Sequence, residues 1–370
     1  MTETPYQRPP FRADHVGSLL RPTAIHDARA KGLTGAALTE IEDREIPALI
    51  RLQEDAGLKV VTDGEARRAF WHYDFMGMLN GLEIVRRDED GVAFAGEHLP
   101  PFYPTITGPI SFPDDHPMLE HFRFVAAQTQ VCPKISIPGP SCVHYRVEKK
   151  YNTYAPYHDP EAFFAAIAAT YKQAVKAFYD AGCRYLQLDD IYFAYLGDEK
   201  QREMKRAEGY DPDWLIDRYA WMLNEAIKDR PADMITAMHM CRGNFKSTFV
   251  ASGGYDAAAD AIFNKTDIDI YFMEYDDDRS GGFEPLRLLP KGHKRVLPGV
   301  ITTKTPQLES LDDIRRKFDM ASKYTDLGQL GIAPQCGFSS TEHGNKLTED
   351  DERRKLDLVV RVAEKIWGEV

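Results

Sequence analysis

The sequence predicts an α/β protein folded as a single (β/α)8 TIM barrel over residues 1–370, with an insertion after the second strand. Three observations predict it. Eight short β-prone runs recur along the chain, longer helical patterns fill most gaps between them, and most runs end in polar or reactive residues. Repeated strand–helix alternation implies a parallel sheet, and eight repeats suffice to close it into a barrel. A chain of 370 residues, 43% hydrophobic, has the size and apolar content for one barrel with a substantial core.

The runs are FRADHVGS (Phe11–Ser18), LKVVTDGE (Leu58–Glu65), PKISIPGP (Pro133–Pro140) and YLQLDD (Tyr185–Asp190). MITAMHMC (Met234–Cys241), IDIYFMEY (Ile268–Tyr275), VLPGVITTK (Val296–Lys304) and LGIAPQCGF (Leu330–Phe338) complete them. Among the helical patterns, Thr39–Gly57 opens on a Thr cap and closes on Gly. Asp159–Gly182 does the same with Asp, followed by Pro in the first turn. Asp211–Lys228, Tyr255–Asn264, Ser310–Tyr324 and Thr348–Trp367 are the others. The stretch Glu83–Pro117 breaks the rhythm with Gly, Pro and alternating polarity, and reads as a hairpin and loop over the barrel mouth.

Composition narrows the function classes. No apolar run approaches the roughly 18 residues of a membrane span. The N-terminal stretch lacks the basic, apolar and small-residue segments of a secretory signal, so a soluble cytoplasmic protein is expected. A net charge of −12 disfavours nucleic acid, whose phosphates need clustered cations. The five cysteines, Cys132, Cys142, Cys183, Cys241 and Cys336, form an odd and scattered set. Metal binding or plain burial suits them better than a disulfide framework.

In such barrels chemistry gathers at the C-terminal ends of the strands. Those ends carry His15, Ser18, Asp63, Glu65, Asp189, Asp190, His239, Cys241, Glu274, Lys304 and Cys336, which would converge on one mouth. His239 and Cys241 lie two apart and so face the same side of a strand. With Glu274 and Cys336 they offer one nitrogen, two sulfurs and one oxygen, a set suited to tetrahedral Zn²⁺. Two thiolates and a carboxylate would leave the centre net negative, poor for hydrolysis and suited to holding a substrate thiol as a thiolate. Each residue has a plainer reading: Cys336 as a small core side chain, Glu274 as the partner of Arg279. Cys132, Cys142 and Cys183 are read as structural.

The motifs HVGSLLRP (His15–Pro22), DGEARR (Asp63–Arg68), LQLDD (Leu186–Asp190) and HMCRGN (His239–Asn244) occur in one order with YFMEYDDDRSG (Tyr271–Gly281), TTKTPQLES (Thr302–Ser310) and PQCGFSS (Pro334–Ser340). Over nearly its whole length the chain resembles the C-terminal, catalytic barrel of cobalamin-independent methionine synthase, and more closely its short single-barrel relatives. The resemblance implies zinc held by His239, Cys241, Cys336 and Glu274, with homocysteine taking a metal position and loosening the glutamate. It implies that the substrate ammonium meets Glu65 and Asp189, and that its carboxylate meets the backbone near Ser18. Charge-assisted hydrogen bonds of that kind are the strong ones.

Two departures bear on the second substrate. Full-length members carry an N-terminal barrel that helps hold a polyglutamylated folate, and this chain is read as having none. A family histidine linked to proton delivery after methyl transfer aligns with Lys304, a general acid only if burial or zinc lowers its pKa. The expected activity is therefore zinc-dependent S-methyl transfer from methyltetrahydrofolate or another donor to a small-molecule thiol, homocysteine, forming methionine. The alternative within the superfamily is alkylation of another thiol, as in epoxyalkane:coenzyme M transferase, with Arg67, Arg68 or Arg146 holding the sulfonate. A non-catalytic barrel that senses zinc or a thiol is a third reading.

Overall fold

The computed structural model describes residues 6–370; residues 1–5, where the reading for a secretory signal begins, lie outside them. In chain order the strands are β1 (Val60–Val61), β2 (Asn80–Arg86), β3 (Ala93–Phe94), β4 (Glu97–His98), β5 (Phe102–Ser111) and β6 (Cys132–Pro133). They continue with β7 (Ile135–Pro138), β8 (Tyr185–Asp189), β9 (Ile235–Met240), β10 (Ile270–Glu274), β11 (Arg295–Ile301) and β12 (Ala333–Pro334). Strands β7 to β12 form one parallel six-stranded sheet in sequential order, curled as a half-barrel, and β1 pairs in parallel with β6. No helix of the described residues is long and apolar enough to cross a membrane.

The sheet follows from its sequence. All of β7, β8 and β10 is buried, and all of β9 but Ile235, the pattern of parallel strands covered on both faces. Between β7 and β8 the helix Pro160–Asp180 buries Phe163, Phe164, Ile167, Tyr171 and Phe178. Pro212–Ile227 packs beside it, and each helix begins at an Asp cap followed by Pro.

Continuous eight-strand pairing is not what the ends of the chain show. The first run, Phe11–Ser18, forms no strand and makes one parallel bridge, Ala13 to Ile332. Beside its few backbone bonds, side chains hold it in place. Lys134 Nζ donates to Asp14 Oδ1 at 2.7 Å, the Tyr185 hydroxyl to Asp14 Oδ2 at 2.6 Å, and Gln187 Nε2 to the Val16 carbonyl at 2.7 Å. The last run shrinks to β12, whose pairing with β11 shifts register between Gly299 and Ile301. Between helices, the pattern at Tyr255–Asn264 yields one π turn, Ala261–Lys265. Tyr255 is drawn inward, donating to the Met240 carbonyl at 2.6 Å and accepting the Glu274 N–H at 2.8 Å. The first long helix starts earlier than the Thr39 cap, at Gly35, and ends at Asp55.

After β1 the alternation is interrupted by an antiparallel pair, β2 with β5, and a small hairpin, β3 with β4. The interruption begins at Asn80, just before the expected Glu83. The Ala95 N–H donates to the Phe249 carbonyl at 2.9 Å, so the small hairpin reaches the loop that follows β9.

The last helix, Glu349–Trp367, begins with a capping box of Thr348 and Asp351. Its buried Glu352 accepts the Leu20 N–H at 2.8 Å, tying the helix to the loop that carries Ser18. Burial raises the Glu352 carboxyl to about 8, against the bond from Leu20. In the unfolded chain this acid ionises near about 4.3, so between that pH and about 8 a rise in pH favours unfolding. Glu352→Gln keeps an acceptor for Leu20 and is expected to stabilise the fold by about 1–3 kcal/mol near neutral pH. Thermal denaturation from pH 5 to 8 checks this; a variant no more stable than the parent at pH 8 contradicts it.

Candidate functional site

Strand register assembles the site. Asp189 and His239 are Cα partners across β8 and β9, and His239 pairs with Phe272 of β10. Cys241 follows β9 immediately, and Cys336 stands two residues beyond β12. Two glycines permit the close approach of the Cys336 loop. A Cβ at Gly299 would sit 2.6 Å from the Gln335 Cα, and one at Gly337 would sit 1.8 Å from Ser18 Oγ.

The result is a buried group of His239, Cys241 and Cys336 whose donor atoms lie within 4.8 Å of one another. His239 Nε2 is 3.5 Å from Cys336 Sγ. A hydrogen bond from Cys241 holds the Cys336 thiol well below its ordinary value against burial, with His239 adding to the effect. Cys241 is pushed well above its ordinary value by that same bond and by burial. For His239 burial acts downward, and the Cys336 contact outweighs it, so its value rises. One imidazole and two sulfurs, one already with thiolate character, make a donor set that fits zinc.

Glu274 and Lys304 stand apart from this group. The Glu274 carboxylate is fully buried, with Oε1 2.5 Å from Arg279 Nη2 and Oε2 accepting the Arg242 N–H at 2.6 Å. The expected fourth ligand is thus engaged by the Arg279 that the sequence offered as its plainer partner. Burial works against ionisation of Glu274, and Lys304, Arg242 and Arg279 overcome it, lowering the carboxyl to about 2. Lys304 Nζ is 3.7 Å from Glu274 Oε1 and makes no hydrogen bond among the described residues.

Ser18, Glu65 and Asp189 line one pocket with the three ligand candidates. Glu65 has φ +56°, a costly conformation for a residue with a Cβ. Asp63 secures it by accepting the Glu65 N–H at 2.8 Å. Glu65 Oε1 accepts from Ser136 Oγ at 2.8 Å, while Oε2 has no hydrogen bond and lies 3.5 Å from Arg68 Nη1. Asp189 is raised to about 7 by burial, with Glu65 adding and His239 opposing.

The other strand-end candidates do not face this pocket. His15 is buried and kept neutral by burial and the charge of Lys134. Asp63 is spent on the turn, and Asp190 accepts from Ser141 Oγ behind β8 while burial raises it to about 7.

Reading strand ends misses the outer wall. Trp71 and His72 line the pocket from the segment after Glu65, Phe94 and Leu99 from the insertion, and Asn244 from the loop after Cys241. The aromatic cluster FWHY (Phe70–Tyr73), a few residues past Glu65, was the available signal. Of the arginines suggested for a sulfonate, Arg67 pairs with Glu42 at 3.4 Å and Asp43 at 2.5 Å. Arg68 lies by Glu65 and donates to the Ser136 carbonyl at 2.7 Å. Arg146 alone of the three lines the pocket.

The chain is thus an α/β protein with a curled parallel sheet, in which one imidazole and two thiols that could hold a metal ion share a pocket with two carboxylates. The chain belongs to the cobalamin-independent synthase family, catalytic domain, whose model matches residues 14–365. That family is the one to which cobalamin-independent methionine synthases, methyltransferases, belong. The uncharacterized protein YxjG of Bacillus subtilis is 44% identical over 366 residues, 98% of this chain and 96% of that one. A Listeria monocytogenes structure described as a candidate vitamin-B12-independent methionine synthase is 39% identical with TM-score 0.79, covering 98% of this chain and 100% of that one. The structure of a B12-independent methionine synthase from Shewanella, in complex with selenomethionine, shares the fold at 21% identity and TM-score 0.70, over 96% of this chain and 97% of that one.

Proposed function

We propose that the chain is one (β/α)8 barrel enzyme that methylates homocysteine to methionine in a zinc-dependent reaction. The observation that carries this is the convergence of His239, Cys241 and Cys336 with Glu65 and Asp189 in one pocket. In this reading the first three would hold zinc, with Glu274 as a fourth ligand. Zinc, when bound, would stabilise the substrate sulfur as a thiolate.

The chain's own residues do the rest. Glu65, through its unpartnered Oε2, and Asp189 bind the substrate ammonium. Ser18 and the backbone beside it receive the carboxylate. Trp71, Phe94 and Leu99 exclude water from the reacting sulfur. Lys304 stabilises the Glu274 carboxylate from 3.7 Å. Arg67 and Arg68 are engaged by acids and Arg146 alone of the three is left to a sulfonate, so the preference for an amino acid rests on Glu65 and Asp189.

Calorimetry of homocysteine binding to zinc-loaded protein tests the reading. At pH 7 the free thiol, with pKa about 8.5, is mostly protonated and should lose its proton on binding. The heat should depend on the ionisation enthalpy of the buffer. Buffer-independent heat contradicts the reading.

A further inference from the structure

Arg146 faces the pocket without a counter-charge. No carboxylate of the described residues pairs with it; its Nε donates to the Tyr192 hydroxyl at 2.7 Å, and its guanidinium lies 5.8 Å from that ring. The guanidinium is half-buried, and with no acid beside it its remaining N–H groups are free to meet an anion supplied by a ligand.

Two further polar groups share its position. His72 is fully buried, stacked between Trp71 at 4.5 Å and Tyr73 at 3.8 Å, and neither ring nitrogen has a hydrogen-bond partner. Burial, followed by the charge of Arg146, keeps this imidazole neutral, so it still offers one N–H. The Tyr195 hydroxyl is buried and also unpartnered. All three line the pocket of Cys241 and Cys336. Each can donate, and buried polar groups left unmatched in this way call for an acceptor from outside.

Arg146 and Tyr195 also line a second cleft, which joins the first and is walled by Tyr73, Phe102, Tyr103 and Tyr145. A transfer reaction brings two molecules to one sulfur. If the thiol's ammonium lies at Glu65 and Asp189, the second molecule has the aromatic cleft as its approach. We propose that Arg146, His72 and Tyr195 form an anion-binding subsite for the group donor, which therefore carries a carboxylate, sulfonate or phosphate. This rests on the reading of a thiol-alkylating enzyme given above and adds the class of its second substrate.

The test titrates acetate, methanesulfonate and inorganic phosphate into the zinc-loaded full chain, with and without saturating homocysteine, following binding by calorimetry. At least one anion should saturate the wild type in both states. Arg146→Met should weaken it ten-fold or more with zinc content and homocysteine affinity unchanged, Arg146→Lys should recover part of the loss, and Tyr195→Phe should weaken it about three-fold. Absence of saturable anion binding to the wild type overturns the subsite, as does equal binding to Arg146→Met, which would place the anion on the metal. Loss of homocysteine affinity in Arg146→Met, with Arg146→Lys restoring it, would assign the arginine to the thiol's own carboxylate and overturn the donor assignment. A wild type that binds the anion but not homocysteine supports the subsite and overturns the proposed acceptor instead.

Discussion

Cys336→Ser protein is expected to emerge from dialysis without zinc. Cys336 is the member of the buried trio that carries thiolate character, held down by Cys241 and His239. A serine hydroxyl stays neutral there and cannot replace a thiolate ligand. Loss of even an outer partner of a metal ligand costs roughly 10- to 100-fold in metal affinity, so loss of the ligand should exceed that. Cys241→Ser should behave alike. Cys183→Ala is the control, since Cys183 is buried elsewhere with its thiol on the Tyr185 carbonyl. Metal analysis of the dialysed proteins decides: full zinc in Cys336→Ser, or none in the wild type, contradicts the assignment.

Glu65→Gln should weaken homocysteine binding about 10- to 150-fold, the equivalent of roughly 1.5–3 kcal/mol for a hydrogen bond to a charged group. The substitution removes one charge at nearly constant shape. Because Gln can still accept from Ser136, the local turn should survive. Zinc content should not change, since Glu65 is outside the trio. Coenzyme M, a sulfonate without an ammonium, should bind equally or more tightly to the variant. Unchanged homocysteine affinity would remove the main reason for preferring an amino-acid thiol.

Much of this site is legible in the sequence because strand period and strand order do the placing. The His239–Cys241 spacing puts both on one side, and a parallel sheet brings Cys336 to them from two strands beyond β10. Glu65 and Asp189 are legible as strand-end residues, their role toward an ammonium comes through the resemblance, and the pocket brings them together. Continuity of the ring was not legible. Period-two patterns cannot show that Asp14 binds Lys134 and Tyr185 through its side chain rather than extending a ladder. The same limit hides which acid Arg279 selects: its pairing with Glu274 is one of two readings the sequence leaves open. Trp71, His72 and Arg146 lie outside the strands, on a connecting segment and a short helix, where periodicity says nothing about facing. For Arg146 the decisive fact is a missing partner, and that is visible only in three dimensions.

In the reaction proposed for it, this chain makes methionine from homocysteine at a zinc centre. Its most direct test incubates zinc-loaded protein with homocysteine, coenzyme M, a panel of methyl donors including methyltetrahydrofolate, and a small epoxide, and reads the products by mass spectrometry. Methionine is expected from at least one donor, abolished by metal removal and by Cys336→Ser. No methionine from any donor, with coenzyme M alkylated by the epoxide, would contradict it.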